Sequence, residues 1–158
     1  MTQRIPFTPA GFKKAKDRLK HLKEVERPEI ISAIETAREH GDLKENAEYH
    51  AAKERQGFCE GEIQRLEAAI SRAEVIDPST LSGDRVLFSA TVLVYDPDQD
   101  EEFRYQIVGM GEGDPENGMI SYQSPIARSL MGKEVGDEVE VKLPGGSRNL
   151  EILEVTFE

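Results

Sequence analysis

The sequence lacks tryptophan and contains a single cysteine, Cys59. One cysteine excludes an intramolecular disulfide framework and a zinc site built from cysteines. Chains without disulfides are typical of reducing compartments, so we expect a cytoplasmic protein. No stretch approaches the ~20 apolar residues that span a bilayer, and the first residues lack the apolar core of a signal peptide. We therefore expect no membrane partner.

Basic side chains are scarce in the second half of the chain. Residues 1–80 carry 14 Lys and Arg against 15 Asp and Glu, whereas residues 81–158 carry 6 against 16. The net charge of -11 therefore belongs almost wholly to the second half. Such asymmetry predicts two domains with different partners. Because affinity for a phosphate backbone comes from positive charge, the acidic half favours a basic protein face over nucleic acid.

Two apolar patterns of helical period occupy the first half, over roughly residues 9–40 and 43–76. Their apolar positions recur every three or four residues, as on the seam of a helix pair. Facing residues of an antiparallel pair have numbers with a constant sum. Pairs such as Phe12 with Ile76 and Ile31 with Phe58 give 88 or 89, which places the turn near residue 44. The predicted seam comprises Phe12, Ala15, Leu19, Leu22, Ile30, Ile31, Ile34 and Ala37, and Ala47, Ala51, Ala52, Phe58, Cys59, Ile63, Leu66, Ile70, Ala73 and Ile76.

Local signals indicate where these helices begin and break. Thr8 is a good N-cap, and Pro9 suits the first helical position. Pro28 should kink or restart the helix, because proline has no backbone donor and its ring clashes with the preceding turn. The second helix should stop before Asp77. At 1.5 Å per residue, ~30 residues make an arm of about 45 Å that projects its turn outward.

The turn at residues 41–48 carries two carboxylates whose spacing allows two interpretations. Asp42 and Glu45 have the spacing of a capping box, with Gly41 as the left-handed end of the first helix. Alternatively, they lie close enough at a helix start to share one divalent cation, with Glu48 a turn farther along. Mg²⁺ prefers such oxygen ligands. Two carboxylates leave a metal site incomplete, so another molecule would have to supply the rest.

The second half changes to a period of two, which is typical of strands. Strands are predicted over residues 86–94, 103–107, 119–122, 139–143 and 150–157, with a short helix from Ser124-Pro125 to about Met131. The apolar phase changes within the last strand, which predicts a β-bulge. We therefore expect an α+β protein, in which an antiparallel coiled-coil hairpin over 1–78 precedes a small antiparallel sheet domain over 79–158.

The tip sequence over residues 38–53, REHGDLKENAEYHAAK, closely resembles that of the bacterial Gre transcript cleavage factors. Residues 27–31, 56–61, 124–128, 132–137 and 144–146 are similar to the same family, so the resemblance covers the whole chain in order. Within the family the tip resembles the GreA type, and the second helix lacks the dense basic run of the GreB type. The resemblance implies an FKBP-like fold for the second domain.

The resemblance also implies a function. The arm would enter the secondary channel of a backtracked RNA polymerase and deliver Asp42 and Glu45 to its active centre. There they would help to hold a weakly bound Mg²⁺, shared with the polymerase and not bound tightly by this chain alone. They would also help to position the attacking water. The polymerase would cleave the RNA 3′ end, so this chain would be a monomeric activator and not an enzyme.

Further contacts follow from the same resemblance. Arg38 and Lys53 match positions that contact the RNA 3′ end, although ordinary surface charge explains them equally well from sequence alone. Gln123, Ser124 and Pro125 match the loop that docks near the coiled coil at the rim of the polymerase channel. A plain helix start also explains Ser124 and Pro125. A zinc role for His40 and His50 is disfavoured, because no cysteine or third histidine is near in sequence. Tyr49 is expected to be structural.

Three other functions compete with transcript cleavage. An FKBP-like fold suggests prolyl isomerisation, but that reaction needs an aromatic-lined pocket and this half is poor in aromatic residues. Gre homologues that bind the channel without cleaving alter the tip acids, so the retention of Asp42 and Glu45 favours cleavage. A free-standing coiled-coil scaffold leaves the composition of the tip unexplained.

Overall fold

The computed structural model describes residues 3–41 and 46–157. These residues form two compact units. The first contains the residues up to Ile5 together with Lys13–Ala73, and the second contains Pro6–Phe12 together with Glu74–Glu158. The sequence placed the boundary at residue 78 and the whole N-terminal segment in the first domain. The contacts of residues 6–12 place that segment in the second unit.

The first unit is a helical hairpin. One side consists of α1 (Pro9–His21), whose residues from Lys13 onward belong to this unit, a π-helical turn (Leu22–Glu26) and α2 (Arg27–Arg38). The other side is α3 (Ala47–Ser71). Ala37 contacts Asn46 near the turn, whereas Arg27 contacts Glu60 farther away, so the two sides run antiparallel. The predicted hairpin is confirmed.

The predicted interruption of the first helix at Pro28 is confirmed, and it takes the form of a π-helical turn. The preceding turn, Leu22–Glu26, is π-helical, and the Arg27 N–H bonds to the Leu22 carbonyl five residues back. Proline removes a donor and crowds the carbonyl four residues before it. A wider π turn relieves both problems, and the α-helix restarts at Arg27.

The second side of the hairpin is shorter than predicted. Helix α3 ends at Ser71, and Ala73–Val75 forms a strand, β2, that pairs with β1 (Ile5–Phe7). The Ile5 N–H bonds to the Arg72 carbonyl at 2.9 Å. Strands of three residues are too short to show a period of two in the sequence. The apolar positions up to Ile76 kept a helical spacing, so the sequence predicted that the helix continued to that residue.

The buried seam of the hairpin is narrower than the sequence suggested. The prediction that Ile31 and Phe58 face each other in it is wrong, because 44% and 70% of their surfaces are exposed. Successive helical residues point about 100° apart, so when Ile30 and Cys59 occupy the seam their neighbours turn outward. Ala47 and Ala51 are also exposed. The core cluster consists of Leu22, Ile30, Ile34, Ala52, Cys59 and Ile63.

Two bidentate ion pairs cross the seam. Arg27 donates to both carboxylate oxygens of Glu60 at 2.8 and 2.7 Å, and Arg18 donates to those of Glu62 at 2.9 and 3.0 Å. These hydrogen bonds hold the pKa of Glu60 and the pKa of Glu62 below the ordinary carboxyl value. Paired forks of this kind fix geometry as well as charge.

The second unit is built on a five-stranded sheet of order β5-β4-β3-β7-β6. Its elements are β3 (Thr91–Asp96), β4 (Glu101–Val108), β5 (Met119–Ser121), α4 (Pro125–Leu130), β6 (Glu138–Leu143) and β7 (Gly146–Thr156), with 3₁₀ turns at Pro78–Thr80 and Pro115–Asn117. The α+β class is confirmed. The sheet is mixed, however, because β5 runs parallel to β4. The connection between them returns the chain to the starting end of β4, which a tight hairpin turn would not do.

The bulge predicted in the last strand is confirmed. Leu93 pairs with Glu154 and Val94 with Ile152, so Leu153 is the extra residue on β7. The bulge allows both Ile152 and Val155 to be buried despite their different phases. The core of the unit consists of Val86, Phe88, Ala90, Val92, Val94, Ile107, Ile120, Ala127, Leu130, Val139, Val141, Leu150, Ile152 and Val155.

Strand β3 starts at Thr91 and not at residue 86, because a turn precedes it. Within that turn Ser89 has φ 75° and is fully buried, and its hydroxyl has no hydrogen-bond partner among the described residues. A side chain in the left-handed region and an unpaired buried hydroxyl both cost free energy. The turn is therefore a locally strained point in the core.

We expect Ser89→Gly to raise the free energy of unfolding by about 1 kcal/mol. Glycine removes both the backbone strain and the unpaired hydroxyl. This gain exceeds the ~0.5–1 kcal/mol of stability that glycine costs by increasing the conformational entropy of the unfolded chain. Urea unfolding followed by tyrosine fluorescence measures the change. Ser89→Ala is the matched control, since it removes the hydroxyl but keeps the strained Cβ and should recover only part of the gain. A glycine variant less stable than the parent would contradict the strain assignment.

Hairpin stability should fall as the pH falls. Because Glu60 and Glu62 have a folded pKa below their unfolded value of about 4.3, their pairs stabilise the fold above that value. That contribution is lost as the pH drops through the folded pKa. Thermal unfolding followed by circular dichroism at 222 nm, at several values between about pH 6 and pH 3, measures the slope.

Glu60→Gln should flatten this slope by removing one of the titrating groups. Glu54→Gln is the control, because Glu54 is exposed on the same helix and forms no ion pair with any residue that the structure describes. Identical slopes for the two variants would show that the Arg27–Glu60 pair does not couple to folding.

Candidate tip site of the hairpin

The candidate site lies between the end of α2 at Arg38 and the start of α3 at Ala47. Gly41 follows α2 with φ +100°, a backbone conformation that side chains other than glycine rarely adopt. The predicted left-handed end of the first side of the hairpin is thus confirmed at Gly41. Asp42 and Glu45, the predicted metal ligands, lie outside the described residues.

Asn46 makes the principal contacts at this end of the hairpin. Its side-chain amide donates to the Ala37 carbonyl at 2.6 Å, and its side-chain oxygen accepts from the Tyr49 N–H at 3.1 Å. The second bond makes Asn46 the N-cap of α3. The first bond connects the two sides of the hairpin on either side of residues 42–45. One side chain therefore joins the two sides of the hairpin and caps α3.

The helix predicted to begin at residue 43 begins at Ala47 instead. A capping box was one of the two interpretations of Asp42 and Glu45, which lie outside the described residues; the N-cap of α3 is Asn46. The physical reason is that an asparagine directly before the first helical residue can reach the free N–H groups of the first turn. Asparagine before an apolar helical pattern was a usable signal in the sequence, and it was missed.

Two neighbouring side chains at the tip engage each other. The imidazole Nε2 of His40 lies 3.5 Å from a carboxylate oxygen of Glu48, and both side chains are exposed. Tyr49 packs against the hairpin core, as expected for a structural residue, and its ring meets the His50 ring edge-on at 5.6 Å. In residues 3–41 and 46–157, no group of three or more His, Cys, Asp and Glu residues is arranged to hold a metal ion.

The predicted RNA-contact residues are both exposed on the hairpin. Arg38 is the last residue of α2 and is available to a ligand near the tip. Lys53 lies within α3, and its ammonium donates to the Gln56 side chain at 2.9 Å. Among the described residues, no hydrogen bond links Arg38 with Lys53.

The predicted docking loop lies in the second unit, at the start of α4. Ser124 is the N-cap of this helix, since its hydroxyl accepts from the Ala127 N–H at 3.3 Å, and Pro125 is the first helical residue. The predicted helix start is therefore confirmed. Gln123 and Pro125 are exposed, whereas Ser124 is half-buried. The loop thus presents two side chains to solvent on a backbone fixed by the third.

Replacing Asn46 should loosen the tip. Asn46→Ala removes the cap and the bond to Ala37, so we expect the unfolding free energy of the hairpin to fall by about 2 kcal/mol. Asn46→Asp keeps a good cap acceptor but loses the amide donor, and should lose only about 1 kcal/mol. Urea unfolding at 222 nm measures both. Equal losses in the two variants would show that the cap contributes nothing.

None of the helices in residues 3–41 and 46–157 has the length and the apolar character of a membrane-spanning segment.

Two family models match almost the whole chain. The model described as "Transcription elongation factor, N-terminal" matches residues 5–75, and that described as "Transcription elongation factor, GreA/GreB, C-term" matches residues 81–157. The boundary between the matches lies close to the boundary between the two compact units.

Curated relatives agree with these matches. The transcription elongation factor GreA of Cereibacter sphaeroides is 57% identical over 155 residues, which cover 98% of this chain and 99% of the relative. The GreA of Rhodospirillum rubrum gives the same identity and coverage. Among solved structures, the GreA factor homolog 1 (Gfh1) of Thermus thermophilus aligns with a TM-score of 0.45 at 25% identity, covering 97% of this chain and 99% of that one.

Both halves of the chain are therefore matched, in order, by the two parts of one family, and its relatives are matched over nearly their full length. The chain belongs to the GreA/GreB family of transcription elongation factors.

Proposed function

We propose that this protein stimulates the hydrolytic cleavage of backtracked RNA by RNA polymerase. Its hairpin would enter the secondary channel of the polymerase and bring Asp42 and Glu45 to the active centre. The polymerase would carry out the reaction and resume elongation from the new RNA 3′ end. The protein itself would act as a cytoplasmic, monomeric activator with no catalytic activity of its own.

One observation carries this proposal: both carboxylates belong to the connection between two antiparallel helices. Residues 42–45 lie between Arg38 and Ala47, and α3 alone has 25 residues, which corresponds to about 37 Å of helix. A helical arm of this length, closed by Asn46, is a suitable carrier for side chains that must reach a deep site. Because Asn46 caps α3, this helix start does not require the two carboxylates as caps.

The chemistry of the donor set fits a shared Mg²⁺ ion. Asp42 and Glu45 are hard oxygen ligands of the kind that Mg²⁺ binds in ones and twos, with water and phosphate completing its coordination. Such an ion, when held jointly with the polymerase, supplies charge stabilisation for an in-line displacement at phosphorus. The two carboxylates would contribute ligands and orient the attacking water by accepting its hydrogen bonds.

Arg38 and Lys53 would contact the extruded RNA. Both are exposed cations on the hairpin, and phosphate oxygens favour positive partners. Lysine keeps the charge but lacks the bidentate fork of arginine, so Lys53 would act as a point charge. Arg38, at the end of α2, is the nearer of the two to the tip in sequence.

The second unit would dock at the rim of the channel, beside the coiled coil there. Gln123 and Pro125 are exposed on a loop whose backbone is held by the Ser124 cap. The unit is strongly acidic, with 16 Asp and Glu against 6 Lys and Arg over residues 81–158. A basic face of the partner would complement it.

The test is cleavage of 3′-labelled RNA in stalled, backtracked polymerase complexes containing Mg²⁺. Short labelled fragments should appear much faster when the protein is present. Asp42→Ala and Glu45→Ala should each reduce the stimulated rate on the order of 100-fold, since each removes a charge placed for the transition state. Binding to the polymerase should persist.

Asp42→Asn and Glu45→Gln repeat the test without a change of size, and Glu54→Gln is the control acid on the same arm. If either alanine variant cleaves as fast as the parent, that residue does not deliver metal. Binding of the parent without any fragments would identify a non-cleaving channel regulator, and no binding at all would leave the hairpin as a scaffold.

A further inference from the structure

A buried carboxylate in the second unit has no part in the proposed cleavage. Glu112 is 8% exposed and follows β4 in the loop of residues 109–113. Each of its two oxygens accepts one hydrogen bond. One accepts from the Thr8 hydroxyl, and the other accepts from the Gly109 N–H at 3.0 Å. A buried polar group whose atoms are hydrogen-bonded in this way holds its surroundings firmly.

Thr8 connects this carboxylate to the start of helix α1. Its hydroxyl donates to Glu112 and at the same time accepts from the Gly11 N–H at 3.0 Å, as the N-cap of α1. Its carbonyl accepts from the Phe12 N–H at 2.9 Å. Thr8 is 6% exposed, and 104 positions in the sequence separate it from Glu112. The carboxylate also lies at the positive end of the helix dipole.

Two glycines leave room for this contact. A Cβ on Gly11 would lie 2.0 Å from the Glu112 carboxyl carbon, and one on Gly109 would lie 3.0 Å from the Pro6 carbonyl oxygen. The neighbouring Phe7 is fully buried, and its carbonyl accepts from the Ile76 N–H at 2.8 Å. The segment Pro6–Phe12 is thus fitted into the second unit by shape as well as by hydrogen bonds.

Helix α1 begins in this segment, and from Lys13 onward its residues belong to the hairpin unit. We propose that Glu112 is a positioning residue that latches the first turn of α1 into the second unit through Thr8. Helix α1 then begins from an ordered first turn within the second unit. This role rests on the proposed function, because the start of α1 precedes the hairpin residues that would enter the polymerase.

The expected effect on polymerase binding comes from the entropy cost of holding two linked units on one partner. When two linked modules bind one partner, the second contact benefits from a high effective concentration, which falls as the connection becomes longer and looser. Opening the latch would free the first turn of α1, residues 8–12, and so loosen one of the chain connections to the hairpin, whereas Phe7 would stay held by its burial and its bond to the Ile76 N–H. The tip chemistry would remain intact, so the maximal cleavage rate should be unchanged while more protein is needed to reach it.

Hydrogen exchange of the full-length protein tests the latch directly. In Glu112→Ala and in Thr8→Val, the Gly11 and Phe12 amides should exchange about tenfold faster than in the parent. Glu112→Gln is a milder variant of similar shape and should give a smaller increase. Glu116→Ala is the matched control, an exposed acid four residues along, and should leave these amides unchanged.

The double variant separates a shared contact from two independent effects. If Thr8 and Glu112 act through one bond, Glu112→Ala combined with Thr8→Val should accelerate exchange scarcely more than Thr8→Val alone. Thr8→Ser keeps the hydroxyl and should restore protection. Exchange in Glu112→Ala that matches Glu116→Ala would overturn the latch, and so would fully multiplicative effects in the double variant.

The cleavage assay then tests the positioning role. The concentration of Glu112→Ala that gives half-maximal cleavage should rise about tenfold with the same maximal rate. Faster exchange with an unchanged half-maximal concentration would overturn that role. If the parent protein does not stimulate cleavage, the proposed function fails, and the exchange experiment still decides whether the latch exists.

Discussion

A two-helix hairpin can bury only one narrow face of each helix, and the first unit depends on this constraint. Its core is a single row of side chains in which Leu22, Ile30 and Ile63 are almost fully buried. With so little apolar surface removed from water, the flanking ion pairs and the end closures matter more than in a globular core. Arg27 with Glu60 fixes the pairing of the helices far from the tip, and Asn46 with Ala37 fixes it at the tip.

At the tip, the structural role and the proposed chemical role belong to different neighbouring residues. Asn46 supplies both the cap of α3 and the bond across the hairpin, so one polar side chain meets the structural needs of this end of the hairpin. Asp42 and Glu45 are then left for the chemistry proposed here, in which another molecule completes the site. A side chain is more readily available to a partner's metal when another residue caps the helix beside it.

The second unit depends on long-range contacts that join distant parts of the chain. The segment Pro6–Phe12 packs into a domain whose other residues begin at Glu74, and the bond between Thr8 and Glu112 joins positions 104 apart. Ser89 shows the same dominance of tertiary packing, because burial holds a serine in a backbone conformation that suits glycine. The backbone preference of a single residue is overridden where the surrounding core is large enough to fix its conformation.

The sequence by itself determined the features that depend on local periodicity and on neighbouring residues. These include the hairpin, the helix starts at Thr8 and Ser124, the interruption at Pro28 and the bulge in β7. Only the tertiary structure decided which apolar residues enter the seam, the parallel pairing of β5, the strands at Ile5 and Ala73, and the burial of Glu112. The physical reason is that local signals repeat within one or two turns, whereas burial and strand pairing depend on partners far away in sequence.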